Sequence, residues 1–348
     1  KTELNIVFTA LHGTSIVSVP PALAKAGFTK VQLVEAQSAP DGNFPTVASP
    51  NPEESAALAM AVAQAEATGA DLVIGCDPDT DRVGIAANDG TGKMQLLNGN
   101  DTAALLVHYI LNAYKKNGTL PSNGFTAATV VTTDLIADIS AVYGVPCYRC
   151  LTGFKWIADI INHKPEEQFL VGGEESYGYL IGDAVRDKDA VASAVMIAEM
   201  AANAKAQGRT VLQQLEAIHR EFGQYQERLI SITKKGRSGA QEIADMMTAL
   251  RNDPPKTLAG SPVVIAIDHN NSTQTDLRTG ATSSTALPAS NVLQFITEAG
   301  DKVSARPSGT EPKIKFYFSV RATTGHSHAA TKAELERKID TFIEELNL

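Results

Sequence analysis

Short apolar runs alternate with helical segments along the first part of the chain. The run LNIVF at 4–8 precedes the turn TALHGTS, a helical stretch that ends at Gly27, and the strand VQLV. The segment NPEE at 51–54 has an N-cap residue, a proline and two acids at the positive end of a helix dipole, so it predicts a helix start. That helix leads through ESAALAMAVAQAEATG to the run DLVIG. The pattern predicts an α/β domain.

The same order of parts returns further along the chain. We expect a strand at AATVVTT, a helix through LIADISAVYG, a strand at VPCYRC and another helix from TGFKWIADII. FLVGGEESYGYLIG then repeats a buried strand that enters an acidic loop, and helices are expected at 189–207 and 210–221. This repetition predicts a second α/β domain of similar topology and suggests an ancient duplication.

After about residue 225 the pattern changes, beginning with QERLISIT and a polar helix around 239–252. VVIAIDHN, NVLQFIT, DKVSARPSG and KIKFYFSV predict an antiparallel set of strands. The chain ends in an amphipathic helix, whose apolar stripe consists of Leu335, Ile339, Phe342, Ile343 and Leu346. The expected fold class is therefore α/β: two successive mixed-sheet domains of similar topology, then a smaller α+β domain with an antiparallel sheet.

Composition narrows the class of protein. The 348 residues are 43% hydrophobic and 20% charged, as in globular proteins, and are enough for two or three domains. The formal charge of -9 and the pI near 5.3 argue against a nucleic acid or an anionic membrane as partner, because such partners need a basic face. No run of about 18 apolar residues and no basic leader occur, so we expect neither a membrane span nor a signal peptide.

The three cysteines indicate a reducing compartment, the cytoplasm, since a secreted disulfide scaffold would need more of them. Cys147 and Cys150 form C-Y-R-C, a spacing shared with redox motifs. A redox motif opens a helix, however, and VPCYRCL has the pattern of a strand. One pair also cannot form a four-cysteine zinc site. We therefore expect neither a redox nor a metal role for these cysteines.

Three aspartates, Asp77, Asp79 and Asp81, follow the run DLVIG at alternate positions. Like charges so close repel one another and raise each other's pKa unless a cation lies among them. Carboxylate oxygens suit Mg²⁺ or Ca²⁺ rather than zinc. A calcium EF-hand would need Gly and Glu where Arg82 and Asn88 stand, so the pattern favours a Mg²⁺ loop with an arginine beside it. The alternative is a solvated acidic turn.

Two further loops carry candidate ligand-binding groups. RPSGTEPK, from Arg306, combines a guanidinium that matches phosphate oxygens with small hydroxyl residues and a glycine, and so predicts a phosphate cradle. An ordinary hairpin turn has the same residue types. GGEESYG, from Gly172, places carboxylates beside a hydroxyl, an arrangement that can bind the vicinal alcohols of a sugar; its alternative is a solvated acidic loop. Together the three loops indicate a site for a phosphorylated sugar.

These loops, in this order, resemble those of the α-D-phosphohexomutases, the phosphoglucomutase and phosphomannomutase superfamily. CDPDTDR is similar to the metal loop of that family, GEESYG to its sugar-binding loop and RPSGTEPK to its phosphate-binding loop. TGFKWI and GEESYGYLIGDAVRDKDA resemble the branch of α-phosphoglucomutases and phosphopentomutases. The resemblance spans nearly the whole chain and implies that residues 1–120, 121–225 and 226–348 are the second, third and fourth domains of the family.

The resemblance also implies an activity, the Mg²⁺-dependent interconversion of hexose 1-phosphate and hexose 6-phosphate. In the family an enzyme phosphoserine donates its phosphoryl group, and a hexose 1,6-bisphosphate is the intermediate and activator. The partner would then be a small-molecule sugar phosphate, with glucose phosphate as the first expectation. Mannose and pentose phosphates stay open, because the sugar loop would bind hydroxyls common to several sugars, and so does the oligomeric state.

The resemblance assigns roles to particular residues. Asp77, Asp79 and Asp81 would hold one Mg²⁺ ion, and Arg82 would contact phosphoryl oxygens. Lys155 would transfer a proton to and from the sugar hydroxyl, with a plain surface charge as the alternative. The expected substrate-binding residues are Glu174, Ser176, Lys188, Arg306, Ser308, Gly309 and Thr310. His12 in LHGTS would either line the cleft or have a structural role.

One departure from the family concerns the nucleophile. Family members carry a phosphoserine motif of the type T-A-S-H-N-P in their first domain, and this sequence has no match to it. ASPNPEE, which contains Ser49, lacks the histidine and fits a helix start better. We therefore expect the chain, which begins KTELNIVF without Met, to be a fragment that is inactive alone.

Two rival functions stay open. A non-catalytic sugar-phosphate binding protein would also do without the nucleophile. A Mg²⁺-dependent phosphatase would share the aspartate loop but would need neither GEESYG nor RPSGTEPK.

Overall fold

The computed structural model describes residues 1–234, 236, 238–309, 311–322 and 327–348. The chain divides into two compact units, unit 1 (Lys1–Ile218) and unit 2 (His219–Leu348). The three domain ranges expected from the sequence stay predictions. No helix among the described residues is both long and apolar enough to cross a bilayer.

The first sheet of unit 1 is mixed. Its strands are β1 (Asn5–Thr9), β2 (Lys30–Leu33), β3 (Leu72–Cys76), β4 (Val83–Asn88) and β5 (Met94–Leu97). Their order is β2-β1-β3-β4-β5, with β1, β2 and β3 parallel and the last two strands antiparallel to their neighbours. The accompanying helices are α1 (Val19–Lys25), α2 (Ser55–Thr68) and α3 (Gly99–Asn117), with 3₁₀ helices at Thr14–Val17 and Glu35–Gln37.

The second sheet of unit 1 repeats this arrangement. Its strands are β6 (Gly124–Thr129), β7 (Cys147–Cys150), β8 (Gln168–Gly173) and β9 (Tyr179–Ile181), in the order β7-β6-β8-β9. β6, β7 and β8 are parallel and β9 is antiparallel to β8, as β4 is to β3. The accompanying helices are α4 (Leu135–Val142), α5 (Lys155–His163), α6 (Ala190–Ala206) and α7 (Val211–Phe222). The predicted similarity of topology is confirmed.

Each sheet of unit 1 is buried against its helices. Alanines of α2 pack on Val7 of β1 and Val73 of β3. Phe154 and Ile157, at the start of α5, pack on Phe125 of β6. Parallel strands covered in this way leave their loops at the carboxyl edge of the sheet, where α/β folds bind ligands.

Unit 2 has an antiparallel sheet. Its strands are β10 (Gln224–Thr233), β11 (Thr257–Leu258), β12 (Ser261–Asp268), β13 (Thr273–Asp276), β14 (Thr282–Ser284), β15 (Leu293–Thr297), β16 (Lys302–Pro307) and β17 (Lys313–Ala322). The sheet runs β10-β17-β16-β15-β12-β13-β14, and β11 pairs with β12. α8 (Gly239–Asn252) and α9 (His328–Glu345) pack on it. The predicted stripe of α9 is confirmed, since Leu335, Ile339 and Phe342 are buried in the core. The fold class is as expected.

Two local predictions were wrong. The segment 51–54 does not begin a helix: the side chain of Asn51 accepts the backbone N–H of Glu53 (3.1 Å), which forms a turn, and α2 begins at Ser55. The strand expected through AATVVTT ends at Thr129, because Thr132 N–H turns back to the Thr129 carbonyl (3.2 Å). In both cases a short polar side chain favours a turn over the regular element.

The C-Y-R-C segment lies in β7, as the sequence indicated, and not at the start of a helix. Its two cysteines are free thiols. Burial raises the pKa of Cys150 to about 12, and the charge of Glu174 adds to the effect. A thiol that stays protonated is a poor nucleophile and a poor metal ligand, so the thiol of Cys150 does not favour a redox or a metal role.

Gly99, the first residue of α3, allows the helix to approach the loop between β8 and β9. A Cβ atom there would lie 1.9 Å from the carbonyl oxygen of Glu175. The hydroxyl of Tyr179 also donates to the Gly99 carbonyl (3.1 Å). The loop is therefore held against α3 by a contact that tolerates no side chain.

We expect Gly99→Ala to lower the free energy of unfolding by about 1–3 kcal/mol, because the added methyl group must displace backbone. The measurement is guanidinium denaturation of the full chain. Gly42→Ala is the control, since a Cβ atom at Gly42 would meet no described atom within 4 Å. Its effect should stay within about 0.5 kcal/mol. Equal stability of the two variants would contradict the role given to Gly99.

Candidate active site

The loop between β3 and β4 holds the three predicted metal ligands. Oδ1 of Asp77 accepts the backbone N–H groups of Asp81 (3.0 Å) and Arg82 (2.9 Å). Thr80 has a φ of 64° and donates its N–H to the Asp77 carbonyl (3.1 Å), which completes the tight turn. The buried carboxylate thus organises the loop that follows it.

The loop brings one oxygen from each of Asp77, Asp79 and Asp81 within 4.8 Å of the others. The pKa of Asp77 is raised to about 7, first by burial and then by the charges of Asp81 and Asp79, while the hydrogen bond from the backbone N–H of Arg82 opposes the rise. A cation among these oxygens would relieve both the burial cost and the repulsion. Clustered carboxylate oxygens are the ligands that Mg²⁺ prefers, so the donor set fits the predicted ion.

The turn after β1 packs beside this loop. A Cβ atom at Gly13 would lie 2.3 Å from the Cα atom of Pro78, so the two backbones are in contact. His12 is buried, and its ring nitrogens lie 3.2 Å from the Ala39 carbonyl and 2.8 Å from the Thr46 hydroxyl. Of the two roles expected for His12, these contacts favour the structural one.

The GGEESYG loop joins β8 to β9. Glu174 is 7% exposed, and its Oε1 accepts the backbone N–H of Gly153 (2.7 Å) in the TGFK turn. Ser176 is half-buried. Lys155, the first residue of α5, is exposed, and its ammonium lies 5.1 Å from the ring centroid of Trp156. The structure thus brings the sugar loop and the TGFK turn together, as their predicted roles require.

The sugar loop is bonded directly to the metal loop. Val83 N–H donates to the Tyr177 carbonyl (3.0 Å), and Arg82 and Gly178 form an antiparallel bridge. Tyr177 has a φ of 67°, a conformation that costs a residue with a side chain about 1 kcal/mol or more. The two loops predicted separately therefore form one continuous surface of unit 1.

Lys188 lies at the junction of these loops. Its Nζ is 2.9 Å from Oδ2 of Asp81 and 3.4 Å from Oδ1 of Asp187. Burial lowers the pKa of Lys188, but the two carboxylates more than offset this effect and leave it raised. A Cβ atom at Gly178 would lie 2.2 Å from Cδ of Lys188, so the lysine stem passes directly over this glycine of the sugar loop. The ammonium is a positive charge beside a predicted metal ligand, Asp81.

Arg82 points its guanidinium between three carboxylates. Nη1 donates to Oε1 of Glu53 (3.2 Å), while Nε is 3.8 Å from Oδ1 of Asp81 and 4.0 Å from Oδ2 of Asp77. The sequence analysis did not identify Glu53 as a site residue. Its acidic side chain was attributed to a helix start at 51–54, where the structure has a turn. The partner of Glu53 is 29 residues away, and no local pattern indicates it.

The predicted phosphate cradle lies in unit 2, between β16 and β17. Ser308 N–H donates to the Lys313 carbonyl (2.7 Å), and its hydroxyl accepts the Glu311 N–H (3.3 Å). Arg306 is the cross-strand partner of Lys315, so two cationic side chains share one face of the sheet. Thr310 lies outside the described residues.

A cavity of about 510 Å³ adjoins this loop. Ser308 and Gly309 line one side, and Ile243 and Met247 of α8 line the other. Gly309 is exposed, and a Cβ atom there would meet no described atom within 4 Å. The loop has the hairpin hydrogen bonds of the alternative interpretation and an exposed glycine, and neither Arg306 nor Lys315 lines the cavity.

Two domains of one family match the chain. Phosphoglucomutase/phosphomannomutase α/β/α domain II matches residues 1–90, and α/β/α domain III of the same family matches residues 98–222. These ranges contain more than half of the chain. They coincide with the parts of unit 1 that carry the metal loop and the sugar loop.

Individual proteins agree with this match. The phosphoglucomutase of Staphylococcus epidermidis is 39% identical over 321 residues, which are 92% of this chain and 58% of that protein. This chain thus spans a little over half the length of that relative.

Two solved structures share the fold. A putative phosphomannomutase from Thermus thermophilus has a TM-score of 0.68 at 17% identity, over 99% of this chain and 60% of its own. N-acetylphosphoglucosamine mutase of Aspergillus fumigatus, solved in complex with GlcNAc-6P and magnesium, has a TM-score of 0.51 at 12% identity, over 100% of this chain and 61% of its own. With the matched domains, these likenesses lead to one conclusion: the chain belongs to the phosphoglucomutase/phosphomannomutase family of α-D-phosphohexomutases.

Proposed function

We propose that this chain forms part of a phosphohexomutase, an isomerase that interconverts hexose 1-phosphate and hexose 6-phosphate. The reaction would use one Mg²⁺ ion, an enzyme phosphoserine and a hexose 1,6-bisphosphate intermediate, with glucose phosphate as the first substrate to test. The phosphoglucomutase relative supports the reaction class. The magnesium and GlcNAc-6P bound by the Aspergillus enzyme support the ion and the class of substrate.

The observation that carries the proposal is the joined surface of unit 1. The backbone bond from Val83 to Tyr177 and the ion pair from Lys188 to Asp81 connect the metal loop, the sugar loop and a cleft lysine. A phosphatase needs the aspartates but has no use for a sugar loop fixed to them. This geometry therefore favours a mutase or a sugar-phosphate binder over a phosphatase.

The side chains of the metal loop would handle the reacting phosphoryl group. Asp77, Asp79 and Asp81 would hold Mg²⁺, which when bound neutralises charge on a transferring phosphoryl group. The guanidinium of Arg82 would orient phosphoryl oxygens through its planar fork. Burial of Asp77 excludes water from one side of the loop and so strengthens these interactions.

The sugar loop and its neighbours would hold the hexose. Glu174, whose Oε1 accepts the Gly153 N–H, would also accept hydrogen bonds from sugar hydroxyls, and Ser176 would bind a second hydroxyl. Lys155 would carry the proton to and from the reacting hydroxyl, and Lys188 would stabilise negative charge beside Asp81.

The loop of unit 2 would bind the phosphate that is not reacting. Arg306 would supply a bidentate guanidinium, with Ser308, Gly309 and Thr310 as hydroxyl and backbone donors. The nucleophilic serine is proposed to lie outside this sequence. The cytoplasm stays the expected compartment, on the ground of the three free cysteines.

The chain should bind Mg²⁺, and Asp79→Asn should weaken that binding at least about tenfold, because loss of even a supporting group around a bound metal costs tenfold or more. The measurement is isothermal titration calorimetry with MgCl₂. Asp159→Asn, on the exposed face of α5, is the matched control and should leave the affinity unchanged. Equal affinities of all three proteins would contradict the assigned metal loop.

Two substitutions of Arg306 should distinguish the contribution of its charge to phosphate binding from that of its bidentate geometry. Arg306→Ala should weaken glucose 1-phosphate binding by about 2 kcal/mol, which is more than tenfold, and Arg306→Lys by less, since lysine keeps the charge but loses the bidentate fork. Arg337→Ala removes an exposed guanidinium from α9 and serves as the control. Unchanged affinity in both Arg306 variants would mean that the loop is an ordinary hairpin.

The chain as given should bind glucose 1-phosphate weakly and should not turn it over, because it contains no assigned phosphoryl donor. The test is incubation with Mg²⁺, glucose 1-phosphate and a catalytic amount of the 1,6-bisphosphate, followed by assays for glucose 6-phosphate and for phosphate on the protein. Turnover, or phosphate mapped to Ser49, would overturn this expectation. Ser49 donates its hydroxyl to Glu54 (2.8 Å), as part of the turn before α2.

A further inference from the structure

Glu53 is held rigidly beside the metal loop. Its side chain is 21% exposed, and its backbone N–H is bonded to the side chain of Asn51. Pro52, the preceding residue, is buried against β4: a Cβ atom at Gly84 would lie 2.9 Å from both Cβ and O of Pro52. Since the turn cannot shift relative to β4, the Glu53 carboxylate has a fixed position next to Arg82, one residue before that strand.

The guanidinium of Arg82 lies within reach of competing carboxylates. Nη1 is bonded to Glu53, whereas Nε is buried and makes no hydrogen bond to any described residue. Nε lies 3.8 Å from Asp81 and 4.0 Å from Asp77, just beyond hydrogen-bond distance. A small rotation of the side chain would therefore give Arg82 a charge-assisted bond to either aspartate.

Such a bond would pair the positive charge of Arg82 with one of the three proposed Mg²⁺ ligands. It would also withdraw the guanidinium from the phosphoryl group that it is proposed to orient. A buried donor without a hydrogen bond gains more free energy from a new bond than a solvated donor does. A specific restraint is therefore needed to keep Arg82 from bonding to an aspartate. The ion pair with Glu53 is the restraint that the described contacts offer.

We infer that Glu53 is a positioning residue that holds Arg82 away from Asp77 and Asp81 and thereby keeps the aspartates available to a divalent cation. The inference rests on the proposed function, because it takes the aspartate loop to bind Mg²⁺. Burial, and then the charge of Glu53, raise the pKa of Tyr177 in the sugar loop, so its phenol stays neutral.

The experiment is a double-mutant cycle on the full chain, read by calorimetric titration with MgCl₂. Glu53→Ala should weaken Mg²⁺ binding about tenfold and Glu53→Gln, which keeps the shape and an acceptor oxygen, several-fold. In the Arg82→Ala background, Glu53→Ala should change the Mg²⁺ affinity less than about twofold, because no guanidinium remains that could bond to the aspartates. Glu54→Gln, which removes the adjacent and more exposed charge, is the matched control and should bind Mg²⁺ as the unaltered chain does.

A second readout needs no metal. The Nε–H resonance of Arg82, recorded on arginine-labelled protein and assigned by its loss in Arg82→Lys, should shift in Glu53→Gln as Nε acquires a carboxylate partner. An equal loss of Mg²⁺ affinity from Glu53→Ala with and without Arg82, or an unmoved resonance, overturns the positioning role and leaves the proposed function standing. Failure of the unaltered chain to bind Mg²⁺ overturns both.

Discussion

The position of the site loops of unit 1 depends on a short backbone connection between a loop of its first sheet and a loop of its second sheet. The Val83 N–H bond to the Tyr177 carbonyl, and the bridge between Arg82 and Gly178, join the end of the metal loop to the sugar loop. A backbone bond fixes both partners to a few tenths of an ångström, whereas a side-chain contact leaves rotamer freedom. The metal loop and the sugar loop are therefore held in a fixed position relative to each other.

Close approach of backbones is the second constraint. At Gly13 against Pro78 and at Gly99 against Glu175, a Cβ atom would lie 2.3 Å or less from the neighbouring backbone. Each contact lies in or beside a loop that is proposed to bind ligand, and not in a strand core. An added side chain at either position would therefore have to displace a loop backbone. The positions of the loops thus depend on the absence of a side chain at these glycines as well as on the contacts that the loops make.

Charge compensation around the three aspartates is the third constraint. Asp77, Asp79 and Asp81 carry more negative charge than a half-buried loop can hold alone, and the structure supplies Lys188 and Arg82 around them. Both cations are themselves partly neutralised, by Asp187 and by Glu53. The result is a network in which negative and positive side chains alternate around the three aspartates.

The sequence by itself determined most of the elements and the position of the acidic loops at the ends of two buried strands. DLVIG followed by alternate aspartates, and FLVGG followed by EES, are local patterns, because a buried strand and the polar loop at its end are encoded within about ten residues. The helix at 239–252 and the stripe of α9 follow from periodicity for the same reason. Only the tertiary structure decided that the segment 51–54 forms a turn before α2 and that Glu53 pairs with Arg82. The same is true of the contact between Lys188 and Asp81 and of the backbone bond between the two loops. These contacts join residues far apart in the chain, and their energies depend on burial and distance, which no local pattern of residue types contains.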